Sequence, residues 1–261
     1  MFRSYFKTGL KNLIRNKSFS LINITGLATG LTCCLLLTLY LRHELSFDKF
    51  HSKGERIARV IMEYSIGGSG NKGNFTSTKV FPTFKENFPE VEDGVRMSPT
   101  SKLVKYNDKV FIEKNFLYAD STFFNLFDFK LLKGNATDVL KAPNMVVLTK
   151  SAAGKYFNTE NPVGKSILIG SRQDNYLITG VVEDCPSNSQ LKFDFLASFS
   201  SFGSAQTEVY WNANFTTYLT TIGRIYKTNL LPSETYLLPS ATYLTTYLRP
   251  TYYLPRPLVH I

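Results

Sequence analysis

The sequence is short of the residues that do chemistry at a site. Its 261 residues include three cysteines, three histidines and one tryptophan. Cys33 and Cys34 sit side by side in an apolar run, and Cys185 stands alone. Neighbouring cysteines on a helix point in different directions, so no intrachain disulfide is expected, and no spacing suits zinc. His43-Glu44 cannot open a zinc-protease helix, because Phe47 stands where the second histidine belongs. Gly164-Lys165-Ser166 ends like a phosphate-binding loop, but Thr159 replaces the required earlier glycine, which leaves a strand edge as the simpler reading. Glu183, Asp184 and Asp194 suit turn and surface positions better than an acid/base pair. No catalytic, cofactor-binding or metal-binding residue can be named, and the expectation is a chain that is not an enzyme and uses no cofactor.

Acid is scarce at both ends. The formal net charge is +10, of which five units come from Arg3, Lys7, Lys11, Arg15 and Lys17 with no acid among them. From Gly223 onward, Arg224, Lys227, Arg249 and Arg256 face only Glu234. The body between is close to neutral, whereas a nucleic-acid domain concentrates basic residues on its folded body. Nucleic acid is therefore not an expected partner. The N-terminal block fits an anionic membrane surface better.

Charge is missing altogether from Ser18 to Leu41. That stretch exceeds the roughly 20 residues that cross a hydrocarbon core, and predicts a transmembrane helix over 18–41. A soluble core helix would rarely stay uncharged on every face. A cleaved signal peptide would have a shorter apolar region and a small-x-small end, whereas Leu35 to Leu41 is bulky. The basic flank before the span places the N-terminus in the cytoplasm. In that leader, 1–17, Phe2, Phe6, Leu10, Leu13 and Ile14 recur at helical spacing beside a stripe of Arg3, Lys7, Lys11 and Arg15. Such a helix can lie in the headgroup region of the bilayer. Gly26 and Gly30, flanked by Thr25 and Thr29, form a GxxxG step that lets another helix approach closely. Asn23 is either a polar contact in that packing or an interfacial residue.

The composition of the remainder, within a chain 43% hydrophobic and 14% aromatic, is enough for a core. Its periods are mixed. Strands are expected at Arg56 to Tyr64, Lys102 to Tyr106, Val110 to Glu113, Met145 to Thr149, Ser166 to Ile169 and Tyr176 to Val182. Asn107-Asp108 reads as a hairpin turn. Helices are expected at Ser77 to Asn87, at Ser121 to Phe127 with Asp120 as its cap, and at Ser151 to Phe157. The sum is an α+β domain over 56–221, joined to the span by a stalk over 42–55.

These residues resemble a known arrangement. Asn12…Arg15-Asn16-Lys17…Asn23…Gly26-Leu27…Gly30, followed by Glu44-Leu45-Ser46-Phe47-Asp48…Phe50-His51, resembles the opening of MacB/FtsX-type permeases of ABC transporters. Tyr118-Ala119-Asp120…Phe123-Phe124…Phe127…Phe129…Leu131-Leu132…Gly134 is similar to the family's periplasmic core domain. So are Val147-Leu148-Thr149…Lys155-Tyr156-Phe157…Pro162-Val163-Gly164-Lys165 and Thr179-Gly180-Val181-Val182. The resemblance runs to about Leu219. It implies a bacterial inner-membrane permease subunit with its main domain in the periplasm, coupled to a cytoplasmic ABC ATPase for export or mechanotransmission. A homodimer or a second permease is implied as partner within the lipid bilayer. No catalytic residue is carried over, because the ATPase motifs belong to the partner.

The pattern departs from the family after Thr221. Family members continue into further membrane helices, whereas here 222–261 is a Tyr-Leu/Thr/Pro repeat with almost no acid. Pro232, Pro239, Pro250, Pro255 and Pro257 oppose a regular helix or central strand, so a disordered C-terminal tail is expected, as a frameshift or truncation would leave. An aromatic interaction tail is the alternative. The expected architecture is thus an α+β periplasmic domain on one N-terminal transmembrane helix. Its rivals in function are a stand-alone bitopic binding or sensing protein and a secreted enzyme, the last lacking both a cleavable leader and a catalytic cluster.

Overall fold

The computed structural model describes residues 14–66, 69–202, 215–223, 236–237 and 243–250. The chain divides into two compact units, Met1–Phe47 and Asp48–Ile261.

The first unit is helix α1, Lys17–Leu45. At about 1.5 Å per residue its 29 residues run about 43 Å, longer than a hydrocarbon core of about 30 Å. Its most apolar window has a mean hydropathy of 1.8 and no buried residue. By length and composition it can cross a membrane. It runs four residues past the uncharged stretch, and Arg42 and His43 fall in its last turn, where the negative end of the helix dipole favours cations. The hydroxyls of Thr25, Thr29, Thr32 and Thr38 each donate to the carbonyl four residues earlier at 2.8 Å. These hydroxyls are thus satisfied within the helix, as an apolar surrounding demands.

The second unit is built on strands β1 (Ile57–Ile66), β2 (Ser69–Gly73), β3 (Val91–Tyr106), β4 (Lys109–Ala119), β5 (Leu131–Lys133), β6 (Met145–Thr149), β7 (Ser166–Ile169), β8 (Asp174–Val182), β9 (Phe195–Ser198) and β10 (Thr216–Thr221). Helices α2 (Val80–Asn87), α3 (Phe123–Leu126) and α4 (Lys150–Phe157) pack beside them. The pairing path runs β1-β10-β3-β4-β9-β6-β8-β5, and β7 pairs with both β3 and β8. Strands β3, β4, β9, β6, β8 and β7 therefore close on themselves as a six-stranded barrel. Closure leaves these strands no edge along the ring, apart from the stretches that overhang their partners.

The barrel holds Val104, Phe116, Tyr118, Val146, Leu148, Ile167, Ile169, Tyr176, Ile178, Phe195 and Ala197. Ala152, Ala153, Tyr156 and Phe157 of α4 join the same core. The alternate residues of the same strands, Leu117, Val147 and Leu196, face a second core with Phe123, Phe127, Phe129, Phe193 and Tyr218. Strands buried on both faces read as continuous apolar runs, as Met145–Thr149 does. A smaller cluster, Val60, Val80, Phe84, Val91 and Leu219, seats α2.

Local chemistry explains the joints. Asn107 takes a positive φ of 51° in the β3–β4 turn, a conformation asparagine tolerates. Thr149 caps α4, its hydroxyl accepting from the amide of Ala152. Asp120 does not cap α3, contrary to the sequence expectation; no side chain does. Its carboxylate instead takes the Arg96 guanidinium in a forked pair, at 2.9 Å to Nε and 2.8 Å to the far nitrogen. The amide of Arg96 donates to the same carboxylate at 2.8 Å. A fork of this kind outcompetes a lone cap, since two charge-assisted bonds replace one.

In the stretch read as a tail, the two described pieces are extended, Tyr236–Leu237 and Tyr243–Pro250, and the second pairs antiparallel with β1. Pro250 ends that strand, a place proline accepts. The other tail residues lie outside the described ones.

Two substitutions test this reading. Asp120→Asn is expected to cost about 2 kcal/mol in denaturant unfolding, because both partners are mostly shielded, with 15% and 22% of their side chains exposed. A change within about 0.5 kcal/mol, the range of ordinary surface substitutions, would show the fork to be idle. Gly134 has φ +100°, and an added Cβ would lie 2.7 Å from the Thr179 carbonyl oxygen. Gly134→Ala is expected to lower stability by about 3 kcal/mol, whereas Gly154→Ala, which meets nothing, should not.

Candidate functional site

Two regions carry candidate functional residues: the face of α1 and the segment by which the chain enters the second unit.

On α1, an added Cβ at Gly26 or Gly30 would meet nothing within 4 Å. The small-residue step is therefore open on this chain's side. Leu27, Leu31 and Leu35 are also exposed. Of the leader's basic stripe, Arg3, Lys7, Lys11 and Arg15, only Arg15 is described, and it is exposed. Arg3, Lys7 and Lys11 lie outside the described residues. Asn16, with φ −109° and ψ 63°, interrupts the helical backbone just before α1.

The lead-in segment runs from Asp48 into a short 3-10 turn at Gly54–Arg56. Asp48 takes a positive φ of 53° and is tied at both ends of its backbone and side chain. Its amide donates to the Asn188 carbonyl at 2.9 Å, and its carboxylate accepts from the Gln190 amide at 3.0 Å and the Ser189 hydroxyl at 3.3 Å. The Ser52 amide donates to the Asp128 carboxylate. Lys53 Nζ reaches the Asn125 carbonyl at 2.8 Å, and Arg56 Nε the Thr221 carbonyl at 2.6 Å. Residues predicted as a stalk are thus stitched to three distant stretches of the domain, at 188–190, at 125–128 and at the end of β10.

His51 is the centre of this seam. Its ring lies against Phe50, Phe127 and Phe129, with centroids 4.0, 5.2 and 5.4 Å away. Nδ1 accepts the backbone N–H of Asp128 at 3.0 Å, which places the ring proton on Nε2. Nε2 is buried and without a partner. His51 lines a small cavity together with Asp48, Gly54, Ile57, Phe127, Gln190, Leu191 and Tyr218. Burial pushes the imidazole below its usual range, while Asp48 and Asp128 pull the other way.

A wider cleft opens at one mouth of the barrel, lined by Lys102, Tyr118, Gly170, Ser171, Arg172, Asp174, Tyr176, Ser201 and Phe202. Its floor is the Tyr118–Tyr176 pair, whose hydroxyls meet at 3.3 Å. Burial pushes the Tyr118 phenol far above its usual range, so it stays neutral. The two phenols satisfy each other, Arg172 and Asp174 are exposed, and the half-buried Lys102 holds its Nζ 5.7 Å from the centre of the Tyr118 ring.

Sequence reasoning missed the role of Glu113, which is buried at 7% exposure. Lys155 Nζ and the Tyr156 hydroxyl both donate to it, at 2.7 and 2.5 Å. The signal was a lone acid in an otherwise apolar and basic strand. The other acids named from sequence serve locally: Glu183 pairs with Lys130 at 2.9 Å, Asp184 takes the Ser151 amide and hydroxyl at the start of α4, and Asp194 accepts from Asn115. Lys165 of the Gly164-Lys165-Ser166 turn pairs with Glu160. Among the described residues no group of three or more His, Cys, Asp or Glu could hold a metal.

Comparison with known proteins fits this geometry. No curated protein matches the sequence. Of solved structures, a domain of a protein named as a permease from Porphyromonas gingivalis is similar at a TM-score of 0.59 and 21% identity, covering 68% of this chain and 77% of that one. The periplasmic region of MacB from Actinobacillus actinomycetemcomitans is similar at 0.50 and 17% identity, covering 67% and 78%. At such identities the likeness shows the fold. The profile of the MacB-like periplasmic core domain matches residues 20–226, most of the chain. With one apolar helix leading into this fold, the chain belongs to the family of the MacB-like periplasmic core domain, found in ABC-transporter permeases.

Proposed function

We propose that the chain is the part of an ABC-transporter permease that carries motion from a cytoplasmic ATPase to a periplasmic domain, for export or mechanotransmission. One observation carries this reading. Only Ser46 and Phe47 lie between the last residue of α1 and Asp48, where the chain is already tied into the domain. A two-residue link has little slack, so displacement of the helix along its axis would be passed on rather than absorbed. A flexible tether for a sensing domain is built the other way, with a long Gly- or Ser-rich linker.

In this reading the N-terminus is cytoplasmic in a bacterial inner membrane, as the basic leader favours. Arg3, Lys7, Lys11 and Arg15 hold the leader against anionic lipid at about 1 kcal/mol per charge. Gly26 and Gly30 pack α1 against a helix of a second copy or a second permease. The chain itself performs no chemistry, because ATP hydrolysis belongs to the partner. Taken alone as a bitopic binding protein, it would need no ATPase.

Two measurements bear on this. The tagged chain, expressed in a bacterial inner membrane with its ATPase partner, is expected to recover that ATPase on purification. If the folded membrane protein brings down no ABC ATPase, coupling through this part of the permease is wrong and the bitopic reading is preferred. Replacing Gly26 and Gly30 together with leucine meets no clash within the chain. The pair is expected to weaken helix association in a membrane two-hybrid assay by fivefold or more, about 1 kcal/mol; an unchanged signal would remove these glycines from any interface.

A further inference from the structure

His51 is wired so that taking up a proton in place is disfavoured. The Asp128 amide points its hydrogen at Nδ1 from 3.0 Å, and amides cannot reverse that polarity. A proton added to the neutral ring goes to Nδ1, because Nε2 already carries one. The acceptor would then become a donor facing a donor, beside Phe50, Phe127 and Phe129, where burial penalises the cation. We propose that His51 is a proton-operated latch: neutral, it closes the lead-in segment onto the 127–129 loop, and protonated, it releases the two from each other.

The surrounding charges set how far the latch can be pushed. From its own segment Asp48 faces the ring, and from the opposite loop Asp128; both favour the cation. Tyr218 lines the same cavity, and its phenol is kept neutral by burial, with Arg59 bonded to it from behind. Asp48 and Asp128 are each already engaged by hydrogen-bond donors, Gln190 and Ser189 for the first and Ser52 for the second. Burial is the larger influence and holds the folded group below its ordinary value. The sign follows: an unfolded or released segment binds the proton more readily than the closed one. Closure is therefore at full strength above about pH 6.5 and weakens as pH falls toward the folded value. A domain outside the cytoplasm feels the pH of its surroundings, and release at this seam would loosen the lead-in segment just where it follows α1. The inference concerns only contacts inside this chain, so it stands or falls separately from any partnership with an ATPase.

The test is amide hydrogen exchange on the full chain in lipid nanodiscs at pH 7.5 and 5.0, with exchange times scaled for the intrinsic rate. Peptides spanning 48–56 and 125–131 are expected to lose protection together at pH 5.0, by tenfold or more. Peptides from β3 and β4 should not change. In His51→Gln the side-chain oxygen can still accept the Asp128 amide but cannot titrate, so protection should be the same at both pH values. Equal protection of the wild type at both pH values, or an equal loss in the glutamine variant, would overturn the latch. If the glutamine variant does not fold, magnetic-resonance titration of the wild-type His51 ring decides. A midpoint below 6.5 that coincides with the loss of protection upholds the proposal, and a midpoint at or above 6.5, or protonation with both peptides still protected, refutes it.

Discussion

Strands β4, β6 and β9 bury apolar side chains on both faces, and the rest of the domain is arranged to allow it. A strand in that position can place no charge on either side and can leave no backbone group unpaired. One face is served by closing the sheet, so that Phe116, Val146, Leu148, Phe195 and Ala197 share the barrel interior. The other is served by the chain between β4 and β6, which folds Phe123, Leu126, Phe127 and Phe129 across Leu117, Val147 and Leu196. Close approach of that cover to β8 explains two glycines at once. A Cβ on Gly134 would strike the Thr179 carbonyl, and one on Gly180 would sit 2.8 Å from the Lys133 carbonyl.

Polar groups enter this interior only where they are fully answered. Glu113 is met by a cation and a phenol on one turn of α4, which fixes the helix against the open stretch of β4. Arg96 is answered by Asp120 on both nitrogens, by the Thr78 carbonyl at 3.2 Å and by the face of Phe199, 4.6 Å from its ring centroid. Buried charges that share several partners specify geometry more than they add net stability. Among the described residues the exceptions are Arg59 Nε and His51, the latter with one nitrogen satisfied and one not. An unanswered buried donor costs on the order of 1–3 kcal/mol, and that of His51 lies in the one segment through which the domain is joined to the preceding helix.

The amphipathic and apolar periods made much of this legible. The uncharged run predicted α1, and alternating or continuous apolar stretches located β1, β6, β7, β8 and the β3–β4 hairpin, with Asn107 marking its turn. What was missed has physical causes. The first half of β3 carries Glu92, Asp93, Gly94 and Pro99 and has no element expected from sequence; it is a strand because β10 and β4 pair with it, with a bulge between Thr100 and Lys102 beside the proline. Strand β10 is rich in threonine, and its burial comes from neighbours far away in sequence. Asp120 looked like a cap because it precedes a short helix, and nothing local in the sequence reveals that Arg96 would claim it. The seam around His51 was invisible for the same reason: Asp128, Asn188 and Gln190 are remote until the fold brings them to the lead-in segment.

Stiffness and slack decide where a displacement of α1 could be felt. A barrel closed by hydrogen bonds around its ring, with side chains interdigitated inside, deforms little under a small load. The two-residue link offers no length in which to dissipate motion. The compliant element is therefore the lead-in segment itself, held by scattered hydrogen bonds at Asp48, Ser52, Lys53 and Arg56 rather than by a ladder. Single bonds of about 1 kcal/mol each can exchange partners one at a time, whereas a strand in a closed ring must lose several together. A domain built this way keeps its barrel intact while the seam at its base slips. On the proposed reading, a displacement that the short link hands on arrives first at this segment, which can shift while the barrel holds.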